Sequence, residues 1–216
     1  MTYENPIVEQ INGLFKQVQR LAADKGSIKQ ARALTSQIAR LTRQVAQSAP
    51  NTPDHAEAVN WLECAMLALS RLSRRKDVQR KLRAQAYAFG AEAVAIRLLG
   101  KRDRGVANAA YNLGIDLVMS EHQPAQALPY LLTSRAILKH VPKEQISRSF
   151  RLFLNWGIAR CQYDLGNRRK AARILCGTLG KSRPRLNNWS ELRAFAKCQE
   201  LLAQIILDNL DAKRAS

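Results

Sequence analysis

Residues 147–179 contain the pattern that most constrains how this chain folds. Apolar side chains recur at intervals of three and four on both sides of Gly166-Asn167, which predicts two antiparallel helices joined by a tight turn. Small residues at Ala159, Gly166 and Ala171 would let the two helices approach each other closely. A single hairpin cannot bury its apolar faces alone, so the pattern predicts a stack of helical hairpins and favours binding over catalysis.

The same helical periodicity runs along the rest of the sequence, and alternating runs of β-branched residues are absent. The fold class is therefore expected to be all-α. Glycine, proline and short polar segments divide the apolar pattern into nine predicted helices, at residues 7–21, 31–45, 54–73, 77–99, 104–120, 124–139, 143–165, 167–179 and 188–211.

The clearest break in this pattern is the segment Pro50-Asn51-Thr52-Pro53-Asp54. Each proline restricts the residue before it, and Asp54 can cap the helix that follows. The break predicts an N-terminal helical hairpin over residues 1–49 and a helical-repeat body over residues 54–216, ending in a capping helix. Both helices of the hairpin have an apolar stripe, so we expect it either to fold back on the body or to form a homo-oligomer.

The chain is strongly basic. Its 35 Lys and Arg against 17 Asp and Glu give a net charge of +18, while an apolar content of 46% is too high for a disordered chain. Of the basic residues, 23 are arginine, whose guanidinium group pairs bidentately with phosphates and carboxylates. Either selection for anion binding or the composition of a GC-rich genome explains this excess of arginine.

Sequence signals also bear on location and chemistry. The N-terminal residues lack the features of a secretion signal, no apolar run is long enough to span a membrane, and the four cysteines show no CxxC spacing. These observations predict a soluble cytoplasmic protein. His55, His122 and His140 lie far apart and carboxylates are few, so we expect no catalytic residues, no metal site and no cofactor.

Two basic clusters are the strongest electrostatic features of the sequence. One lies between Arg148 and Arg193, where eleven Lys and Arg face only two acidic residues, and the other lies between residues 71 and 83. Such density attracts polyanions, although a basic run is also compatible with a merely solvated face. The predicted polyanion-binding residues are Arg71, Arg74, Arg75, Arg80, Lys81, Arg148, Arg151, Arg160, Arg168, Arg169, Lys170, Arg173, Lys181, Arg183 and Arg185.

The residues of the central hairpin resemble the tetratricopeptide repeat family. In that family a large and a small residue, a turn glycine, and then a small and a large residue follow one another at fixed spacing. Ile158, Ala159, Gly166, Ala171 and Leu175 have this order and this spacing. The resemblance implies antiparallel helical hairpins stacked as a right-handed solenoid.

An upstream segment repeats the same pattern less regularly. Leu113-Gly114 matches the large and small pair, and Ala127 and Leu131 match the later pair if the intervening turn contains one extra residue. Glu121 replaces the turn glycine. The resemblance covers about residues 107–184, and only loosely residues 54–106.

In the repeat family the first helix of each hairpin lines a groove, so the resemblance implies groove residues at Asn108, Tyr111, Asn112, Trp156 and Tyr163. An aromatic and arginine-lined groove is suited to stacking with bases, or to a peptide with an acidic residue. The alternative for Trp156 and Tyr163 is packing in the core, as is usual for large aromatic residues at helical spacing.

These observations predict a non-enzymatic repeat protein that docks an anionic partner on a basic surface. RNA or another single-stranded nucleic acid is slightly favoured over an acidic protein segment, and duplex recognition is less favoured because no recognition helix is identifiable. The alternative is a protein-protein interaction adaptor or chaperone that holds a peptide in its groove.

Overall fold

The computed structural model describes residues 5–100, 103–181, 184–185 and 187–214. In these ranges all regular secondary structure is helical, which confirms the all-α prediction. The α-helices are α1 (Pro6–Ala23), α2 (Ile28–Ser48), α3 (Pro53–Leu72), α4 (Lys76–Leu99), α5 (Arg104–Met119), α6 (Pro124–Leu138), α7 (Arg148–Asp164), α8 (Arg168–Gly180) and α9 (Trp189–Arg214).

Side-chain caps explain where several helices begin. Asn5, Ser27, Thr52 and Ser147 each accept a hydrogen bond from a backbone N–H group in the first turn of the helix that follows. Proline stands at the start of α1, α3 and α6, where its missing N–H group costs no helical hydrogen bond. The breaks in the apolar pattern therefore correspond to real helix starts.

One predicted helix, over residues 143–165, is wrong in its bounds. The chain instead forms a 3-10 turn at Lys143–Gln145 and begins α7 at Arg148. Between these elements Ile146 is extended and buried, and Ser147 accepts a hydrogen bond from the N–H group of Phe150. The helix is interrupted because Ile146 reaches the interior from an extended backbone and Ser147 then caps a new helix.

The chain divides into two compact units, Met1–Arg102 and Asp103–Ser216. In the first unit α1, α2 and α3 pack against one another, and α4 packs against α3. Their shared core includes Ile11 of α1, Ile38 of α2 and Leu62 of α3. The boundary predicted between residues 49 and 54 falls inside this unit, because α3 shares its core with the two helices before it.

In the second unit α5 packs against α6, α7 packs against α8, and α7 also contacts α5 and α6. α9 packs on α7 and α8, where the first helix of a further hairpin would lie. The second unit is therefore two stacked hairpins followed by one terminal helix.

Glycine residues permit the close helix crossings in the second unit. A Cβ atom added to Gly114 of α5 would lie 2.7 Å from the Leu131 side chain of α6, and one added to Gly157 of α7 would lie 2.7 Å from Cδ1 of Ile115. Real Cβ atoms do not approach other atoms so closely. The crossing at Gly114 therefore requires glycine, as the predicted large and small pair at Leu113-Gly114 implies. At Gly157 the nearest atom is the end of the flexible Ile115 side chain, which can shift.

The two turns of the second unit also agree with the predicted repeat. Four residues connect α5 to α6 and three connect α7 to α8, so the first turn contains the expected extra residue. Gly166 has a φ of +81° in the later turn, and His122, the neighbour of Glu121, has a φ of +52° in the earlier one. Ala159 and Ala171 are fully buried between the helices.

Candidate anion-binding site

Trp156 is a core residue, so its predicted position in an open groove is wrong. Its side chain is 7% exposed and packs with Ala159 and Ala171, and with Leu201 of α9. The Nζ atom of Lys197 lies 5.0 Å from the centroid of its ring. The groove interpretation failed because α9 packs over this face of α7.

Tyr163 also takes part in attaching α9. Its hydroxyl group donates a hydrogen bond to Oδ2 of Asp208, and the ring is half-buried. The hydrogen bond to Asp208, together with burial, raises the pKa of Tyr163, and the same hydrogen bond lowers the pKa of Asp208. Tyr163 therefore connects two helices, with its hydroxyl group already occupied.

The remaining predicted groove residues lie along α5. Asn112 is exposed, Asn108 is half-buried, and the Tyr111 ring lies 4.5 Å from the Phe150 ring, measured between centroids. Burial raises the pKa of Tyr111 to about 12, so its phenol stays neutral at physiological pH. Of these three residues, only Asn112 is exposed.

Four of the predicted polyanion-binding residues form ion pairs with acidic side chains. Salt bridges of this kind reduce the positive potential that the cation presents to a partner. The pairs are Arg75 with Asp77 at 2.7 Å, Arg160 with Asp164 at 2.8 Å, Arg168 with Asp208 at 3.7 Å and Arg185 with Glu191 at 3.9 Å.

Ten other predicted polyanion-binding residues form no ion pair within the part of the chain that the structure describes. All are exposed or half-buried, and they are Arg71, Arg74, Arg80, Lys81, Arg148, Arg151, Arg169, Lys170, Arg173 and Lys181. Arg183 lies outside the described residues. The first four belong to the first unit and the other six to the second.

A cavity of about 360 Å³ lies between the end of α6 and the start of α7. Four cations line it, namely Arg135, Lys139, Lys143 and Arg151, together with the apolar side chains Leu138, Val141, Ile146 and Leu154 and the amide of Asn155. We call this cavity the α6–α7 pocket. None of its lining residues is acidic.

The four cations of the α6–α7 pocket form no ion pair among the described residues. Arginine presents a planar fork of N–H donors that matches carboxylate and phosphate groups, and lysine adds a mobile point charge. Among the apolar lining residues Val141 is half-buried, and it can contact an aliphatic or aromatic group of the same ligand. The pocket is therefore suited to a ligand that carries a negative charge beside an apolar group.

Sequence reasoning singled out Arg151 but missed Arg135, Lys139 and Lys143. Arg135 and Lys139 are four residues apart, which is the spacing of one helix face, and Lys143 follows beyond Pro142 in the 3-10 turn. That signal was present in the sequence. It was missed because the density of charge elsewhere is greater, and because the pocket forms only where the helix is interrupted before α7.

Chemistry based on metals or thiols finds little support in the described residues. They contain no group of three His, Cys, Asp or Glu that could hold a metal ion. Burial raises the pKa of Cys161 to about 12 and that of Cys198 to about 11, so both thiols stay protonated near neutral pH. None of the helices described has the length and apolar character that a membrane span requires.

No family model matches this chain, and no curated protein matches it. Two similar solved structures contain nearly identical TPR-like repeats of a kinesin light chain from Podosopora anserina. The first, a substituted variant, is 18% identical with a TM-score of 0.63, over 99% of this chain and 100% of that one. The second is 18% identical with a TM-score of 0.62, over 98% and 100% of the respective chains. This chain therefore has the fold of tetratricopeptide-like helical repeats.

Proposed function

We propose that this chain is a non-enzymatic binding scaffold that docks an acidic segment of another protein at the α6–α7 pocket. One observation carries the proposal. Four cations surround an apolar lining and make no ion pair among the described residues, so their charge is available to a partner. Helical-repeat folds present such surfaces on rigid helices, which lowers the entropic cost of binding.

The apolar lining favours a protein segment over a nucleic acid. Val141 is half-buried, unlike the buried Leu138 and Leu154, and can contact an aliphatic side chain between the acidic residues of a peptide. Single-stranded nucleic acids usually bind by stacking their bases on exposed aromatic rings. Of the residues proposed for that role, Trp156 is buried and Tyr163 is bonded to α9.

The test is a fluorescence-anisotropy titration with a short labelled peptide in which glutamates flank two leucines. The variant Arg135→Gln/Lys139→Gln/Arg151→Gln should bind this peptide about tenfold or more weakly, since it loses several charge-assisted hydrogen bonds. A peptide with serine in place of the leucines should also bind more weakly. Equal affinity of wild type and variant would exclude the α6–α7 pocket as the docking site.

A control variant separates the pocket from general charge. Lys16→Gln/Lys29→Gln/Arg40→Gln removes the same number of positive charges from exposed positions of the first unit. It should retain nearly wild-type affinity. A loss as large as that of the pocket variant would mean that net charge alone governs binding.

The exposed start of α8 favours a second candidate, binding of RNA or another single strand. Arg169, Lys170 and Arg173 are exposed there and form no ion pair among the described residues. The charges of Arg169 and Lys170, in the first turn of α8, oppose the helix dipole, so these two residues are not placed to stabilise α8. The double variant Arg169→Gln/Arg173→Gln should weaken binding of a labelled single-stranded oligonucleotide while leaving peptide binding unchanged. If the oligonucleotide binds both proteins equally, this candidate is removed.

A further inference from the structure

α9 has apolar side chains on two different faces. Its inner face packs on α7 and α8 and buries Ala194, Cys198, Leu201 and Ile205. Its outer face contains Leu192, Ala196, Ala203, Ile206, Leu207 and Leu210, which at 3.6 residues per turn lie within an arc of about 100°. We call this second set the outer α9 stripe. Trp189 and the polar Gln199 lie within the same arc.

The outer α9 stripe is open to solvent. Ile206 is 51% exposed, Leu207 is 56% exposed and Leu210 is 49% exposed. Among the described residues α9 contacts only α7 and α8. Folded proteins rarely expose a contiguous apolar stripe unless another surface covers it.

Charged residues beside the stripe indicate what covers it. Arg193 and Asp211 are exposed, form no ion pair among the described residues, and are eighteen positions apart, which is five full helical turns. Both therefore lie on the same edge of the stripe. In an antiparallel pair of identical α9 helices, equivalent edges meet, and Arg193 of each copy would lie beside Asp211 of the other.

The apolar residues support the same register. The stripe from Leu192 to Leu210 is centred within one residue of the midpoint between Arg193 and Asp211. Antiparallel pairing that joins Arg193 to Asp211 would place Leu207 opposite position 197, within one residue of the small side chain of Ala196 in the other copy, which permits close approach of the helices. A parallel two-fold pair would bring opposite edges together, so Arg193 would not lie beside Asp211 of the other copy.

We propose that two copies of this chain associate through antiparallel pairing of their outer α9 stripes. The interface is isologous, because the same residues contribute from both copies. It uses surfaces separate from the lining of the α6–α7 pocket, so failure of this proposal leaves the proposed function untouched.

Sedimentation velocity of the full chain over a concentration series tests the proposal. Wild-type protein should convert from monomer to dimer as concentration rises. Arg193→Asp and Asp211→Arg should each weaken dimerisation by about threefold or more, because both symmetric contacts become repulsive. The double variant Arg193→Asp/Asp211→Arg should return towards the wild-type dissociation constant.

Two further variants complete the design. Ile206→Asp places a charge in the stripe and should weaken dimerisation by about tenfold or more, whereas the exposed-site control Lys29→Asp should have little effect. Circular dichroism checks that each variant is folded. The proposal would be overturned if wild-type protein stays monomeric over the whole concentration series, or if Ile206→Asp leaves the dissociation constant of the dimer unchanged. It would also be overturned if the double variant has a dissociation constant as high as those of the single variants.

Discussion

Tyr163 of α7 donates its hydroxyl hydrogen bond to Asp208 of α9, a residue 45 positions further along the chain. The other carboxylate oxygen of Asp208 accepts a 2.7 Å hydrogen bond from Nε2 of Gln204, and Arg168 of α8 approaches Asp208 to 3.7 Å. One carboxylate therefore joins α7, α8 and α9. This junction, together with the burial of Trp156, fixes the terminal helix of the second unit.

The Tyr163 to Asp208 hydrogen bond should make stability depend on pH in two windows. The pKa of Asp208 is lower in the folded state than in the unfolded state, where it is about 3.9. The contribution of Asp208 to the free energy of unfolding is therefore present above the unfolded-state pKa and is lost as the pH falls through the folded-state pKa. The pKa of Tyr163 is higher in the folded state than in the unfolded state, where it is about 10. The contribution of Tyr163 to the free energy of unfolding is therefore present below the unfolded-state pKa and is lost as the pH rises through the folded-state pKa.

Thermal unfolding of wild type and Tyr163→Phe over the full pH range measures this effect. The difference in Tm should be constant in the middle of the range and should shrink in strong acid and in strong base. A difference that does not change at either extreme would show that the bond contributes nothing specific.

Replacement of the Trp156 side chain should destabilise folding. Trp156→Ala should lower the free energy of unfolding by about 3–5 kcal/mol, because a buried aromatic side chain leaves a cavity when it is truncated. Urea denaturation followed by circular dichroism measures the change. Near wild-type stability would instead place Trp156 on an open surface.

Two glycine substitutions should act in opposite directions. Gly114→Ala should cost about 1–3 kcal/mol, because the new methyl group would meet Leu131 at 2.7 Å across a helix crossing. Gly177→Ala meets no atom within 4 Å inside α8 and should stabilise the protein by about 0.5–1 kcal/mol through helix propensity. A Gly114→Ala change that does not destabilise the protein would show that the α5 to α6 crossing is not as close as described, and a destabilising Gly177→Ala change would show that this position is not open.

The cysteines of the second unit should differ in reactivity. Cys176 is exposed, whereas Cys161 and Cys198 are fully buried with pKa values raised to about 12 and about 11. Iodoacetamide at mildly alkaline pH should label Cys176 first, because the thiolate is the reactive form. Peptide mass spectrometry at successive times gives the order, and equally fast labelling of Cys161 would contradict its burial.

The hairpins were predictable because their causes are local. Gly114, Ala159 and Ala171 are small where helices cross, and the turn at Gly166 needs a positive φ that glycine adopts without strain. The interruption before α7 was not predictable from periodicity, because Ile146 fits the apolar pattern of a helix and becomes extended only to reach the interior.

The candidate site was predictable only in part, because it depends on contacts between distant residues. Trp156 and Tyr163 lie on one helix face, and periodicity alone does not tell whether another helix covers that face. Arg168 appeared unpaired in the sequence, but Asp208 reaches it from α9. The α6–α7 pocket brings Arg135 and Arg151 together across a connection that the predicted helix over residues 143–165 did not describe.

The salt dependence of peptide binding tests the proposed binding of an acidic segment most directly. The dissociation constant of the glutamate and leucine peptide should rise steeply with salt for wild type. It should rise less steeply for Arg135→Gln/Lys139→Gln/Arg151→Gln, because fewer ion pairs are left for salt to screen. Identical dissociation constants and identical salt dependence in the two proteins would contradict the proposal that the α6–α7 pocket binds an acidic partner.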